Sequence, residues 1–194
     1  MENRDFLSKA FIEDNTQIAD FLNFVFYDGR QVITSEKLTR IIPALSVVRN
    51  NEKFKPFLTD GIDITTVKSG NNTFVILSVT DQAEANYAAP LWAFSFDLMY
   101  YAEQLETCSN EKLHPIFTVF IYWGSDKWNG PRTLAEMYNI TDEAYLKAIP
   151  KYNLNLVSPY EMTGDDFGRF TTALGERFRY IKHSEDNNTG GDSE

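Results

Sequence analysis

Cysteine and histidine are nearly missing from this chain of 194 residues, which holds one Cys and two His. Cys108 alone excludes an internal disulfide and any Cys-based metal site, and His114 and His183 are too few for a His-rich metal centre. Base is scarce beside acid: 18 Lys and Arg stand against 28 Asp and Glu, for a net charge of −10 and a pI near 4.7. Such an excess repels nucleic acid unless a local basic patch overcomes it. No apolar run approaches the roughly 18 residues that a membrane helix needs. The opening MENRDFLSKAFIED lacks the apolar segment of a signal peptide, so a cytoplasmic location without membrane contact is expected. There is no phosphate-binding Gly-rich loop, no Ser elbow and no spaced pair of metal-ligating His.

The chain is rich in aromatics: 15 Phe and 10 Tyr, within 43% hydrophobic residues overall. That content excludes wholesale disorder and is enough for one domain with a sizeable core. The last eleven residues, SEDNNTGGDSE, contain four acids, no base and no apolar group. Residues 184–194 therefore read as an acidic disordered tail, and 1–183 as a single domain carrying −6 of the net charge.

Periodicity supplies the elements. DNTQIADFLNFVFYDG (14–29) predicts a helix capped by Asp14 or Asn15 and ended by Asp28-Gly29. GIDITTVK (61–68), the turn SGNN (69–72) and TFVILSVT (73–80) predict an antiparallel hairpin whose second strand is covered on both faces. A helix is expected from 88 to 107, with Leu91, Phe94, Leu98, Tyr101 and Leu105 as its inward stripe. PIFTVFIYWG (115–124) reads as a third strand, 127–138 as a turn and short helix, and NLNLVSP (153–159) as a short strand. Residues 165–183 read as one closing helix with Phe167, Phe170, Leu174, Phe178 and Ile181 on one face. The order predicts a mixed α/β domain.

The residues alone say little about chemistry. Cys108 has no basic neighbour to lower its pKa and reads as a bystander thiol, and His114 reads as structural. Arg169, Arg177, Arg179, Lys182 and His183 near the end of the domain read as a solvated face, because Glu176 and Glu185 lie among them. A two-stranded hairpin followed by a helix is nevertheless where metal-dependent nucleases carry carboxylates. Mg²⁺ wants hard oxygen ligands and retained waters, so two acids must converge on one point. Asp63 and Thr65 share a face of the first strand, and the second strand ends Val79-Thr80-Asp81-Gln82. Acids at hairpin ends are more often simply solvated.

Four stretches go further: DNTQIADFLNFVFYDGRQVI (14–33), YAAPLWAFSFDLMYYAEQ (87–104), KLHPIFTVFIYWGSDKWNGPRTLAEM (112–137) and YNLNLVSPYEMTGDDFGRFTTALGERFRYIKHSED (152–186). Together they resemble the PD-(D/E)XK nuclease family transposases, the recombination-promoting nuclease group. The resemblance implies a restriction-endonuclease-like core of αβββα type, a mixed sheet flanked by helices, and Mg²⁺-dependent DNA cleavage in active members. Asn15, Asp20, Gln82, Asp97, Tyr101 and Gln104 match its pattern.

The departures fall on the chemistry. Aligning Val67-Lys68 with the first-strand motif puts Thr65 at the catalytic Asp, and aligning Gln82 puts Thr80 at the catalytic Glu. A basic position on the following helix becomes Trp92. A hydroxyl neutral near pH 7 cannot replace a carboxylate at a Mg²⁺ site. The expectation is a pseudo-nuclease without a cofactor, its vestigial site made by Asp63, Gln82 and Asp20 beside Thr65 and Thr80, acting through a protein partner or self-association. The competing expectation is an active DNA endonuclease that binds Mg²⁺ or Mn²⁺ through Asp63 with Asp20, Asp81 or Glu84. A small-molecule binder using Trp92, Phe96 and Tyr101 is the third reading.

Overall fold

A computed structural model of the chain describes residues 2–41, 62–79, 85–107, 112–124 and 126–184. Helix α1 (Glu2–Glu13) runs directly into α2 (Asn15–Tyr27), and the short strand β1 (Leu38–Arg40) follows. The hairpin β2 (Ile62–Ser69) and β3 (Asn72–Val79) leads into the long helix α3 (Ala85–Thr107) and the strand β4 (Ile116–Tyr122). The chain closes through α4 (Glu143–Ala148), β5 (Asn155–Val157), α5 (Gly164–Phe167) and α6 (Leu174–His183). The five strands form one sheet in the order β1-β2-β3-β4-β5. The first three are antiparallel, whereas β3, β4 and β5 run parallel. A parallel neighbour needs a crossover, and α3 supplies it between β3 and β4.

Local chemistry explains the boundaries. The Asp14 carboxylate accepts from the Thr16 N–H at 2.8 Å and so caps α2. At the other end Asp28 turns left-handed at φ 57, and Gly29 follows at φ 82. A Cβ on Gly29 would stand 2.8 Å from the Arg169 carbonyl oxygen, so the close approach demands glycine as much as the backbone angle does. Gly70, at φ 59, opens the two-residue turn between β2 and β3.

Helices cover both faces of the sheet. On one face Val67, Phe74, Ile76, Val119 and Ile121 meet residues of α1, α2 and α6, including Phe11, Phe21, Leu22 and Phe178. Phe11 stands edge-on to Phe21 and to Trp123, which packs in turn on Phe178. On the other face Val75, Leu77, Phe120 and Tyr122 meet α3. Residues 73–78 of β3 are all buried, as the nearly all-apolar run of that strand predicts.

The structure corrects three expectations. The inward face of α3 is Ala89, Trp92, Ala93, Phe96 and Tyr100, while Leu98 and Leu105 are 51% and 63% exposed. This helix carries apolar residues at helical spacing on two faces, and periodicity could not say which one the sheet would take. The single helix expected at 165–183 is instead α5 and α6, separated by a bend over 168–173. Thr163 and Asp166 close a capping box that starts α5, and the bend wraps around a carboxylate of α2. The helix expected within 127–138 is a single 3-10 turn at Leu134–Met137. Helix α1 is an addition: its inward face contains Ser8, a polar residue that interrupts the apolar stripe. No helix among the described residues is long and apolar enough to cross a membrane.

Candidate functional site

Side chains alternate along β2, so Asp63, Thr65 and Val67 all face the α1/α2 layer. Asp63 lies opposite Ser78 of β3, and Thr65 opposite Ile76. Above them Ser8 of α1 completes a buried polar line. The Trp123 indole N–H donates to Ser78 Oγ at 2.6 Å, Ser78 Oγ lies 2.6 Å from Ser8 Oγ, and the Ser8 hydroxyl donates to Asp63 Oδ2 at 3.3 Å. An indole can only donate and an ionised carboxylate can only accept, so the line has one direction: Trp123 to Ser78, Ser78 to Ser8, Ser8 to Asp63. Ser8, Ser78 and Trp123 are fully buried, and each hydroxyl is satisfied by the next.

Thr65 has a different neighbour. Arg40, at the end of β1, donates from Nη1 to Thr65 Oγ1 at 3.4 Å and from Nε to Asn15 Oδ1 at 2.8 Å. Neutral oxygens thus orient an exposed guanidinium directly beside the Thr65 hydroxyl. A divalent cation placed about 4 Å from that charge would be repelled by roughly 2 kcal/mol at the dielectric of water and roughly 8 kcal/mol at the value typical near a protein surface.

Asp20 is engaged elsewhere. Only 2% exposed, its carboxylate accepts from both the N–H and the hydroxyl of Thr171, and from the N–H and the hydroxyl of Thr172, over 2.7–3.0 Å. Asp20 therefore ties α2 to the bend before α6, whereas Asp63 bonds to α1. The structure does not join the two in one hydrogen-bonded group. Gln82, Thr80, Asp81, Glu84 and Cys108 lie outside the described residues, as do residues 185–194 of the tail.

The other residues that match the resemblance are structural ties as well. The Asp97 carboxylate accepts from the Thr118 hydroxyl at 2.6 Å and from the Tyr152 hydroxyl at 2.9 Å, joining α3 to β4 and to the segment before β5. Burial raises the Asp97 pKa above the ordinary carboxylate value, against the opposing effect of those two bonds. Burial, followed by the neighbouring Asp97 charge, pushes the Tyr152 hydroxyl far up. Tyr101 accepts from the Ile116 N–H at 3.4 Å, and Gln104 bonds both the N–H and the carbonyl of His114. The His114 side chain itself is exposed, so its structural role is a backbone one.

The basic group near the end of the domain is occupied locally. Arg169 pairs with Asp28 and Asp166, Arg177 donates to Gln17, Arg179 pairs with Glu176, and Lys182 donates to the Met162 carbonyl. Trp92 and Phe96, proposed as a small-molecule platform, are 4% and 5% exposed and belong to the core. Sequence reasoning passed over Ser8, Ser78 and Arg40. Ser78 had a signal, as the one polar residue inside FVILSV, whereas Arg40 in a three-residue strand had none. Comparison of the chain with protein-family models, with curated proteins and with solved structures gives no match, so the functional reading rests on these residues.

Proposed function

We propose that this chain is a nuclease-fold protein without catalysis, which acts by binding a protein partner in a mobile-element or defence setting. The observation that carries this reading is the Arg40 guanidinium donating to Thr65, the residue at the position of the catalytic Asp in the family it resembles. A fixed positive charge there favours an anion and disfavours a metal ion. Mg²⁺ or Mn²⁺ would require converging carboxylates with room for bound water. Among the described residues this face of β2 offers Asp63, already bonded to Ser8, and one hydroxyl beside a guanidinium. That donor set does not fit the ion, and no metal-dependent step is derived from it.

Two further observations support the reading. The order of helix, three antiparallel strands and helix agrees with the αβββα type that the resemblance implies. Asn15, Asp20, Asp97, Tyr101 and Gln104 all serve as ties between elements, so their retention follows from folding alone.

Two experiments test the proposal. Supercoiled DNA incubated with the protein and Mg²⁺ or Mn²⁺ is expected to stay intact, and cleavage that vanishes in Asp63→Ala would establish the competing endonuclease instead. In calorimetry Thr65→Asp with Thr80→Glu should bind Mn²⁺ poorly, and adding Arg40→Gln should tighten binding by about tenfold or more. Equal Mn²⁺ affinity with and without Arg40 would remove the observation on which the reading stands.

A further inference from the structure

The sheet has polar side chains on its other face as well. Alternation along β2 turns Thr66 and Lys68 away from the Asp63 side and toward α3, and Lys68 lies directly across from Thr73 of β3. Between this pair and the C-terminal half of α3 is a cavity of about 150 Å³, whose walls include Ile41, Lys68, Thr73, Tyr100, Glu103 and Gln104. Neighbouring groups hold two of these walls in place. The Tyr100 hydroxyl lies 2.7 Å from Thr66 Oγ1, and the Gln104 amide bonds both the N–H and the carbonyl of His114. Three polar groups are left uncommitted. Among the described residues neither the Lys68 ammonium nor the Glu103 carboxylate has an ion-pair or hydrogen-bond partner. The Thr73 hydroxyl has none either, although Thr73 is only 3% exposed. Buried hydroxyls are normally paired, so one left free on a cavity wall points to something that enters the cavity. We propose that this cavity binds a small zwitterionic amino acid, its carboxylate on Lys68 and Thr73 and its ammonium on Glu103.

Charge selects the class of ligand. A simple anion would gain Lys68 but face the Glu103 carboxylate, and a simple cation would gain Glu103 but face the Lys68 ammonium. A neutral solute would use neither charge. Water would satisfy the Thr73 hydroxyl but gives no reason for opposite charges on the walls of one space. A zwitterion meets both charges and leaves the site as neutral as before. The fold also sets its direction, because the sheet wall supplies two donors and the helix wall supplies an acceptor. Ile41 and the Tyr100 ring, both part of the apolar layer on this face, offer contact to an aliphatic side chain. Size narrows the class further. About 150 Å³ is the liquid volume of about five waters, enough for the about six non-hydrogen atoms of alanine and too little for a drug-sized ligand. The site lies across the sheet from Asp63 and Thr65, so the proposal does not rest on what that face does.

Titration of the full chain with L-alanine, followed by backbone amide NMR shifts, is expected to saturate in the millimolar range, with the shifts concentrated at residues 66–74 and 99–105. Propionate and ethylamine each keep one of alanine's two charges on a similar skeleton, and each should bind about fivefold more weakly or worse. That comparison uses the wild-type chain and so does not depend on any variant. Lys68→Gln and Glu103→Gln change exposed side chains, so each should keep the wild-type circular dichroism while weakening alanine binding by about fivefold. Alanine shifts that rise without saturating, propionate or ethylamine binding as tightly as alanine, or alanine affinity unchanged by both Gln substitutions would overturn the proposal.

Discussion

Replacing Asp20 by Asn tests whether this acid holds the fold or belongs to a reactive site. The carboxylate accepts from two backbone N–H groups and two hydroxyls, and it is 2% exposed. An amide retains one oxygen and places an NH₂ group where the other stood. The hydroxyls of Thr171 and Thr172 can rotate toward other acceptors, but the backbone N–H groups cannot. An oxygen kept at the Oδ2 position can still accept both N–H groups, but the Thr171 N–H and hydroxyl then face an NH₂ group where Oδ1 stood, at about 1–3 kcal/mol. The remaining bonds lose the strength that an ionised acceptor gives, which adds a comparable amount. The expected loss is roughly 3 kcal/mol, or about 6–12 °C in thermal midpoint for a chain of this size. Urea denaturation of the wild type and Asp20→Asn, with far-UV dichroism as the probe, measures it directly. Thr172→Val should share part of the effect, and the double variant should lose less than the sum of the two. An acid kept for reactivity would behave in the opposite way, because removing such groups often leaves stability unchanged or improved. A change within about 0.5 kcal/mol, the spread of ordinary surface substitutions, would refute the structural assignment of Asp20.

Asp97 should give stability a distinctive pH dependence. Its pKa is raised in the fold, so the folded state holds the proton more tightly than the unfolded chain, and this contribution to stability falls as pH rises from the ordinary carboxylate value of 3.8 through the folded value. Urea midpoints measured from about pH 4 to neutrality should therefore show the wild type losing ground to Asp97→Asn as pH rises; a difference that grows the other way would contradict the buried placement. Two glycines form a matched pair: Gly29→Ala, with a Cβ 2.8 Å from the Arg169 carbonyl oxygen, should destabilise clearly more than Gly70→Ala, whose Cβ would meet nothing within 4 Å. The latter change carries only the left-handed backbone penalty of about 1–2 kcal/mol, and equal thermal shifts would refute the contact argument. Ser78→Ala strands the Trp123 indole N–H and removes the partner of Ser8, for an expected 1–3 kcal/mol or about that, whereas Ser95→Ala, which breaks only a bond to the Leu91 carbonyl in its own helix, should stay within about 0.5 kcal/mol in the same denaturation assay.

Elements whose cause is local were legible in the sequence. The limits of α2 follow from Asp14 and from the Asp28-Gly29 pair, and the hairpin follows from two strand-like runs around Gly70. The central place of β3 follows from its lack of alternation. What stayed hidden depends on distant contacts. The break between α5 and α6 is made by Asp20, which is 151 residues before Thr171 in sequence, so the apolar spacing of 165–183 looked continuous. The inner face of α3 was misread because two apolar stripes compete for one sheet, and only tertiary packing decides between them. Ser8 and Arg40 carry no periodic signal, since each acquires its meaning from a strand that folds against it.

The same distinction bears on how acids near a suspected metal site should be weighed. Sequence offers Asp63 with Asp20, Asp81 or Glu84 as oxygen donors, and the fold treats the described acids, Asp97 included, unequally. Asp20 and Asp97 each accept from several donors across element boundaries, so turning either toward a cation would break contacts that hold α2 and α3 in place. Among the described residues Asp63 has one bond of 3.3 Å, from a serine that Ser78 already supports, and could give it up at little cost. Among the described residues, the choice between a disarmed site and a relocated one therefore turns on Asp63 and the guanidinium that stands beside Thr65 on the same face. Asp63→Ala and Arg40→Gln push in opposite directions on any bound cation, the first removing an attraction and the second a repulsion. If neither change alters Mn²⁺ affinity or DNA cleavage, no cation is held between these groups, and the protein's work must then lie elsewhere on its surface.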